Sequence, residues 1–241
     1  MTRDYSYLKN TLSEWKFDLS DKQIEQLDKY YEMLIEKNKV MNLTAITEFD
    51  EVLVKHFVDS LSICTVLPND ISSVCDLGTG AGFPGIPMAI AYPSLQFTLI
   101  DSLNKRIKFL DEVVSELRLT NVTLVHARAE EAGKNKLYRE QFDLVVSRAV
   151  ANMTTLVEYL LPFVKVGGYA ICMKGPEIEE ELSKAKFAIK ELGGQVEKVE
   201  NFVLPKADIE RNIVIIKKIS DTPNKYPRKA GTPSQSPMFH R

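Results

Sequence analysis

Hydrophobic positions along the chain fall into two regimes. Up to residue 67 they recur at helical spacing. Behind Ser20-Asp21-Lys22-Gln23, the positions Ile24, Leu27, Tyr31, Leu34, Ile35 and Asn38 trace one stripe, and Ser20 with Gln23 reads as a capping box that starts this helix. A polar interruption over 38–46 precedes a second periodic run, Leu53, Phe57, Leu61 and Cys64, which Pro68 stops; Thr47 with Asp50 is its expected cap. From Ser73 to Lys218 the regime changes to short apolar runs alternating with helical patterns. Strands are expected at 73–77, 96–101, 122–126, 142–147, 169–174, 196–203 and 211–218, with helices at 86–91, 104–118, 153–164 and 177–192. Such alternation predicts an α/β fold on a mostly parallel sheet of these seven strands. The run 142–147 is almost continuously apolar, as a strand covered on both faces must be, and belongs at the centre. No long helix separates the last two strands, so they should form an antiparallel hairpin at the sheet edge. On the helix after Asp101, Asn104 is the expected cap, with Ile107, Leu110, Val113, Val114 and Leu117 facing inward.

These regimes divide the chain into an N-terminal helical extension (1–68), an α/β domain (69–220) and a basic, proline-rich tail (221–241). The tail carries Pro223, Pro227, Pro233 and Pro237 with Lys225, Arg228, Lys229 and Arg241, and no acid beyond Asp221. It reads either as a solvated segment or as an arm that contacts phosphates. A net charge of −2 exerts no general pull on nucleic acid, so any such partner must meet a local basic patch. The three cysteines, Cys64, Cys75 and Cys172, are far apart and set among apolar residues, which fits buried thiols in a reducing compartment and no metal site. No apolar run reaches membrane-spanning length and the amino end has no signal-peptide core. The expectation is a cytoplasmic protein, with no membrane partner and with a monomer as the default.

The chemistry concentrates where the first strand meets Gly78-Thr79-Gly80-Ala81-Gly82-Phe83-Pro84-Gly85. Glycines permit a tight turn and let a ligand approach the backbone. A dinucleotide fingerprint needs glycine at the first, third and sixth places. Gly78 and Gly80 fit, but the sixth place is Phe83. The pattern of an acid (Asp76), an apolar residue and then glycines at alternate positions resembles motif I of the Rossmann-like methyltransferases that bind S-adenosylmethionine, a cofactor with no phosphate to cradle. Asp101, closing the second strand, is placed to accept the hydroxyls of a ribose.

Ligands of open α/β sheets bind beyond the carboxyl ends of the strands. The residues there are Asp76 to Phe83, Asp101, Ala129-Glu130, Ser147-Arg148-Ala149 and Lys174-Gly175. Gly78 and Gly80 can approach the methionine part of such a cofactor, Glu130 or amides near Ala129 can read an adenine edge, and Phe83 can stack on a ring. Glu130 is equally readable as a helix-cap acid. Arg148 reads as the most exposed cation for a substrate or carboxylate contact, or else as a solvated strand-end charge. His56 and Asp59, three apart on one helix, read first as a pair tying the helical extension to the main domain.

Taken together, Asn42-Leu43-Thr44, His56-Phe57-Val58-Asp59-Ser60-Leu61, the glycine loop, Ser147-Arg148-Ala149 and Arg228-Lys229-Ala230-Gly231-Thr232-Pro233 resemble the RsmG, or glucose-inhibited division protein B, family from about residue 20 to the tail. The resemblance implies a class I methyltransferase fold with a helical extension, acting on guanine N7 of bacterial 16S ribosomal RNA. It implies S-adenosylmethionine contacts at Gly78, Phe83, Ala129, Glu130 and Arg148, beside Asp76, Gly80 and Asp101 read from the strand ends. Arg148, Lys174, His56, Arg228 and Lys229 are then the candidates for contact with 16S rRNA or the 30S subunit. Guanine N7 carries a lone pair and no hydrogen, so no catalytic base is required, and none is marked out. The adenine-N6 signature is absent after the fourth strand, and Cys172, mid-strand, reads as core rather than as a nucleophile. Rival readings are a methyltransferase for a small molecule or protein, a non-catalytic ribosome-binding module, and, less favoured, a dinucleotide oxidoreductase.

Overall fold

The computed structural model describes residues 3–148, 150–204 and 206–239. Two helices open the chain, α1 (Ser6–Glu14) and α2 (Asp21–Met41). The capping box is present at α2: Gln23 N donates to Ser20 Oγ, and the Gln23 side chain accepts from Ser20 N. Its buried stripe is Leu27, Tyr30 and Leu34, so Tyr30 rather than Tyr31 is the inward tyrosine. The next helical run is composite, with α3 (Phe49–Val52), a π-helical stretch Leu53–Val58, α4 (Asp59–Leu61) and a 3-10 turn Ser62–Thr65. Glu48, not Thr47, stands at its N-cap and makes no side-chain capping bond.

The seven strands are β1 (Ser73–Leu77), β2 (Gln96–Asp101), β3 (Val122–His126), β4 (Phe142–Arg148), β5 (Val164–Lys174), β6 (Gly194–Leu204) and β7 (Ile209–Lys218). Between them run α5 (Gly85–Ala91), α6 (Asn104–Glu116), α7 (Ala129–Ala132), α8 (Met153–Leu160) and α9 (Ile178–Glu191); α10 (Thr232–Gln235) lies in the tail. At α6 the cap position is Leu103, whose N–H is taken by Asp101 Oδ1, so Asn104 is the first helical residue and not the cap. The sheet order is β3-β2-β1-β4-β5-β7-β6, with β4 in the middle as expected. All pairs are parallel except those of β7, which runs antiparallel to both β5 and β6.

Side chains of successive strand residues point to opposite faces, and the core divides accordingly. Val74, Leu144 and Val146 pack with α2, α5, α6 and the composite helix on one face. Cys75, Leu77 and Val145 pack with α8 and α9 on the other. The N-terminal helices therefore share a core with the sheet. The tail also folds back: Tyr226 and Met238 are buried in the second core, and Pro233 is buried as well, so the segment is anchored to the domain while residues such as Lys225 and Lys229 face solvent. Its proline-rich composition hid this, because its anchors are bonds to distant residues. Among the described residues no helix is long and apolar enough to cross a membrane.

Candidate active site

The glycine loop is braced by two carboxylates from adjacent strand ends. Asp76 is fully buried; its Oδ2 accepts from Thr79 Oγ1 at 2.6 Å and from Gly85 N at 2.8 Å, while Oδ1 has no partner. Burial raises its carboxyl to about 6, against the opposing effect of those two bonds. Asp101 Oδ2 accepts from Gly80 N at 2.9 Å and from Arg106 at 3.3 Å, and its Oδ1 holds Leu103 N. The loop glycines do different work. Gly80, at φ +63°, faces open space: an added Cβ would meet only Gly78 O, at 4.0 Å. Gly82, at φ +107°, faces the core, and a Cβ there would lie 2.7 Å from the Tyr30 hydroxyl and from Ile86. That hydroxyl donates to Ala81 O at 2.6 Å, so α2 fixes the loop from beneath.

Three hollows open beyond the strand ends. One of about 380 Å³ runs along Gly78 to Ala81, Phe83, Asp101, Arg106 and Arg148. A second of about 230 Å³ shares Gly78, Asp101, Ser102 and Val150 with it and continues along Ile100, Ala127 to Glu130, Tyr159, Gly231 and Ser234. The third, about 490 Å³, lies between the π-helical stretch and the ends of β5 and β7, and is lined by Lys55, His56, Asp59, Arg148, Lys174 and Arg211 among others. Arg148 lines both the first and the third.

Arg148 is not the exposed charge its strand-end position suggested. Its side chain is 15% exposed and Nη1 donates to Asp59 Oδ2 at 3.0 Å and to Lys55 O at 3.2 Å. Asp59, buried, accepts on its other oxygen from Arg211 Nε at 3.1 Å. His56 and Asp59 do tie the helical region to the sheet, but through a shared partner rather than to each other: Arg148 Nη2 lies 3.3 Å from His56 Nδ1 while Nη1 holds Asp59, and Arg211 takes the other oxygen of that carboxylate. His56 also stacks on Phe83, ring centroids 4.4 Å apart, and its Nε2 pairs with Thr44 Oγ1 at 2.9 Å. Burial, with Arg148 beside it, lowers the imidazole to about 4, so it is neutral at physiological pH. The Phe83 ring has His56 against it and the Arg148 guanidinium 5.2 Å from its centroid.

The remaining candidates are also engaged. Lys174 donates to Ala151 O at 2.9 Å and pairs with Glu181 at 2.7 Å. Glu130 is no simple cap acid, since its Oε1 accepts from Gly231 N of the tail at 2.8 Å. Arg228 pairs with Glu158, a carboxylate with no exposed surface, through Nη2 at 2.7 Å and Nε at 3.0 Å. Lys229 is exposed. Ala149 and Arg241 lie outside the described residues. Cys172 is buried and its thiol pushed up to about 12 by desolvation, as a core residue's should be. Arg211, Tyr30 and Tyr159 were not singled out in the sequence. Arg211 and Asp59 are 152 residues apart, beyond any local spacing, whereas the run His56 to Leu61 did carry a signal through the resemblance.

The seven-stranded order with an antiparallel β7, a glycine loop leaving β1 and an acid closing β2 define a class I methyltransferase fold. Solved structures of that class are similar in fold. One is M. jannaschii TYW2 in complex with AdoMet, at TM-score 0.54 and 16% identity, covering 73% of this chain and 80% of that one. Another is a SAM-dependent methyltransferase from Aquifex aeolicus, at TM-score 0.51 and 18% identity, covering 70% and 93%. The family model for rRNA small subunit methyltransferase G matches residues 23–214. Proteins named ribosomal RNA small subunit methyltransferase G are similar over nearly the whole chain. That of Alkaliphilus metalliredigens is 52% identical over 96% of this chain and 97% of its own length, and that of Lactobacillus johnsonii is 50% identical over 94% and 96%. The chain belongs to the rRNA small subunit methyltransferase G family.

Proposed function

We propose that the chain transfers a methyl group from S-adenosylmethionine to N7 of a specific guanine in bacterial 16S rRNA, acting in the cytoplasm as a monomer. Family membership supports the reaction. The observation that carries the placement is Arg148, which lines both the glycine-loop hollow and the hollow beside it, where Lys55, Lys174 and Arg211 stand among the carboxylates Asp59, Glu177 and Glu181. The residues present fit the cofactor: the open space above Gly80 is a cradle that a Cβ would fill, and apolar Ile100 and Ala127 alternate with Asp101 and Glu130 in the adjoining hollow. Gly78, Gly80, Phe83 and Arg148 would hold its methionine end and Asp101, Ala129 and Glu130 its adenosine end, with Asp76 keeping the loop in shape. When bound, the cofactor supplies an electrophilic methyl group on a sulfonium.

The chain's own contribution is alignment. Guanine N7 needs no deprotonation, so holding the base in line with the methyl provides the acceleration, and the neutral His56 is not called on as a base. A base inside a folded RNA must leave its stack to reach such a cleft. The hollow lined by His56, Arg148 and Lys174 is where it would enter, with Lys229 available to phosphates. The test is transfer of labelled methyl into 16S rRNA, 30S subunits and tRNA from cells lacking the gene, followed by cleavage chemistry specific for 7-methylguanine. A single labelled site in 16S rRNA is the expected result, and the preferred arm identifies free RNA or assembled subunit as the substrate. Absence of label in every RNA would refute the assignment.

A further inference from the structure

Of the run Arg228 to Pro233 only Lys229 faces RNA in the proposed function, and the position of the others gives them a different role. Several bonds fasten the tail to residues of the α/β domain, among them Thr222 N to Glu140 and Lys225 to Glu191, and others set its course past the strand ends. Arg139 makes the first of these: its Nη1 donates to Tyr226 O at 2.8 Å and its Nη2 to Thr222 O at 2.6 Å. Arg228 meets Glu158 on α8, whose Oε1 also accepts from Arg228 N at 2.8 Å. Thr155 Oγ1 donates to Pro233 O at 3.1 Å. Glu130 Oε1 takes Gly231 N. A fully buried carboxylate is costly unless it is paired and hydrogen-bonded, so Glu158 and Arg228 hold one another in place.

Between the Arg228 and Pro233 anchors the chain turns at Gly231, at φ +82°, and this turn delivers Gly231 and Ser234 to the wall of the hollow that also contains Asp101, Ala129 and Glu130. We propose that the C-terminal segment is part of the cofactor site: Gly231 and Ser234 close the adenosine end of the pocket, and Arg228 is a positioning residue that holds them there through Glu158. The segment also orients Glu130, because the Gly231 amide takes one carboxylate oxygen and leaves the other for a ligand. Arg228 is thereby committed to the pocket and not to RNA. This inference rests on the hollow beside Asp101 and Glu130 being the adenosine pocket.

The experiment is calorimetric titration of the full-length protein with S-adenosylhomocysteine, paired with 16S rRNA binding measured without cofactor over a range of salt. Arg228→Ala should weaken S-adenosylhomocysteine roughly tenfold and leave RNA affinity and its salt slope unchanged. Lys225→Ala, on the same segment but directed at Glu191, should bind both as the wild type does. Unchanged cofactor affinity in Arg228→Ala, with weaker RNA binding and a shallower salt slope, overturns the proposal. Should Arg228→Ala fail to fold, Ser234→Trp decides, since it fills the pocket from an exposed position and leaves the Glu158 pair intact. Loss of S-adenosylhomocysteine binding in that variant supports the proposal and wild-type binding overturns it. Failure of the wild type itself to bind S-adenosylhomocysteine strikes the cofactor reading, and this inference falls with it.

Discussion

Asp59 and Arg148 meet at 3.0 Å across 89 residues of chain, and Arg211 completes the group on the other oxygen of the same carboxylate. One buried acid thereby orients two guanidiniums along one hollow. A buried ion pair adds little to stability compared with an apolar replacement, but breaking one leaves an uncompensated charge. Asp59→Asn is therefore expected to cost about 3 kcal/mol, the lower end for a broken buried pair because the arginines retain some solvent contact. Urea unfolding measures it. A loss smaller than that of an ordinary surface substitution would show that the arginines do not depend on Asp59.

α2 reaches the glycine loop through the Tyr30 ring, packed on Phe83, and through its hydroxyl, which holds the Ala81 carbonyl. Tyr30→Phe keeps the ring, which packs against Phe57 and Phe83, and removes only the donor to Ala81 O. An acceptor left unsatisfied in a buried place costs about 1–3 kcal/mol. The variant should lose stability in that range and bind S-adenosylhomocysteine more weakly, because Ala81 lines the same hollow as Gly80. Equal cofactor affinity in the two proteins would mean that the loop keeps its shape without help from that hydroxyl.

The sequence made the sheet legible and the site only half so. β1 and β2 ended where glycine, proline and polar residues bounded apolar runs, because a strand covered on both faces writes its limits locally. Roles that depend on distant partners were not readable. Arg148 looked solvated because nothing near it in sequence reveals Asp59, and the tail looked free because Glu158 lies 70 residues before Arg228. The spacing of His56 and Asp59 pointed to a tie with the main domain, but Arg148, which joins them, lies 92 and 89 residues away and leaves no local mark. Gly80 and Gly82 were equivalent letters in one motif until the core beneath the second could be seen.

Acid should act on the protein through two groups of opposite sign. The His56 pKa, lowered to about 4 from an ordinary 6.5, contributes stability that is present above 6.5 and lost as pH falls through 4. The Asp76 carboxyl, raised to about 6 from 3.8, works the other way, and its ionisation costs stability as pH rises through that window. Between pH 4 and 6 the two partly cancel. Below 3.8 Asp143 adds a loss of its own; burial tends to raise its pKa, but Lys165 and the Ser72 and Ser73 donors hold it well below the ordinary value. His56→Gln removes one of the opposed effects. It should be less stable than the wild type by about 1 kcal/mol at about pH 7.5, with the gap narrowing by about pH 4.5. Denaturant midpoints at the two pH values give the comparison, and a gap that widens on acidification would refute the assignment to His56.

Gly80 and Gly82 separate folding from binding within three residues. An alanine at either adopts a positive φ at a cost of roughly 1 kcal/mol. At Gly80 the added methyl meets nothing closer than 4.0 Å, so the fold should survive, but the methyl occupies the space facing the hollow. At Gly82 it would lie 2.7 Å from Tyr30 Oη and from Ile86 Cγ1 and 2.8 Å from Leu110, side chains of α2, α5 and α6 that cannot all give way in a packed core. Gly80→Ala is thus expected to melt within a few degrees of the wild type while losing most S-adenosylhomocysteine affinity. Gly82→Ala should lose about 3 kcal/mol or more of stability, with cofactor binding falling only as far as the unfolded fraction dictates. Melting temperature and calorimetric affinity measured on both variants distinguish the cases. If Gly80→Ala bound the cofactor normally, the open space above that residue would not be where the ligand lies.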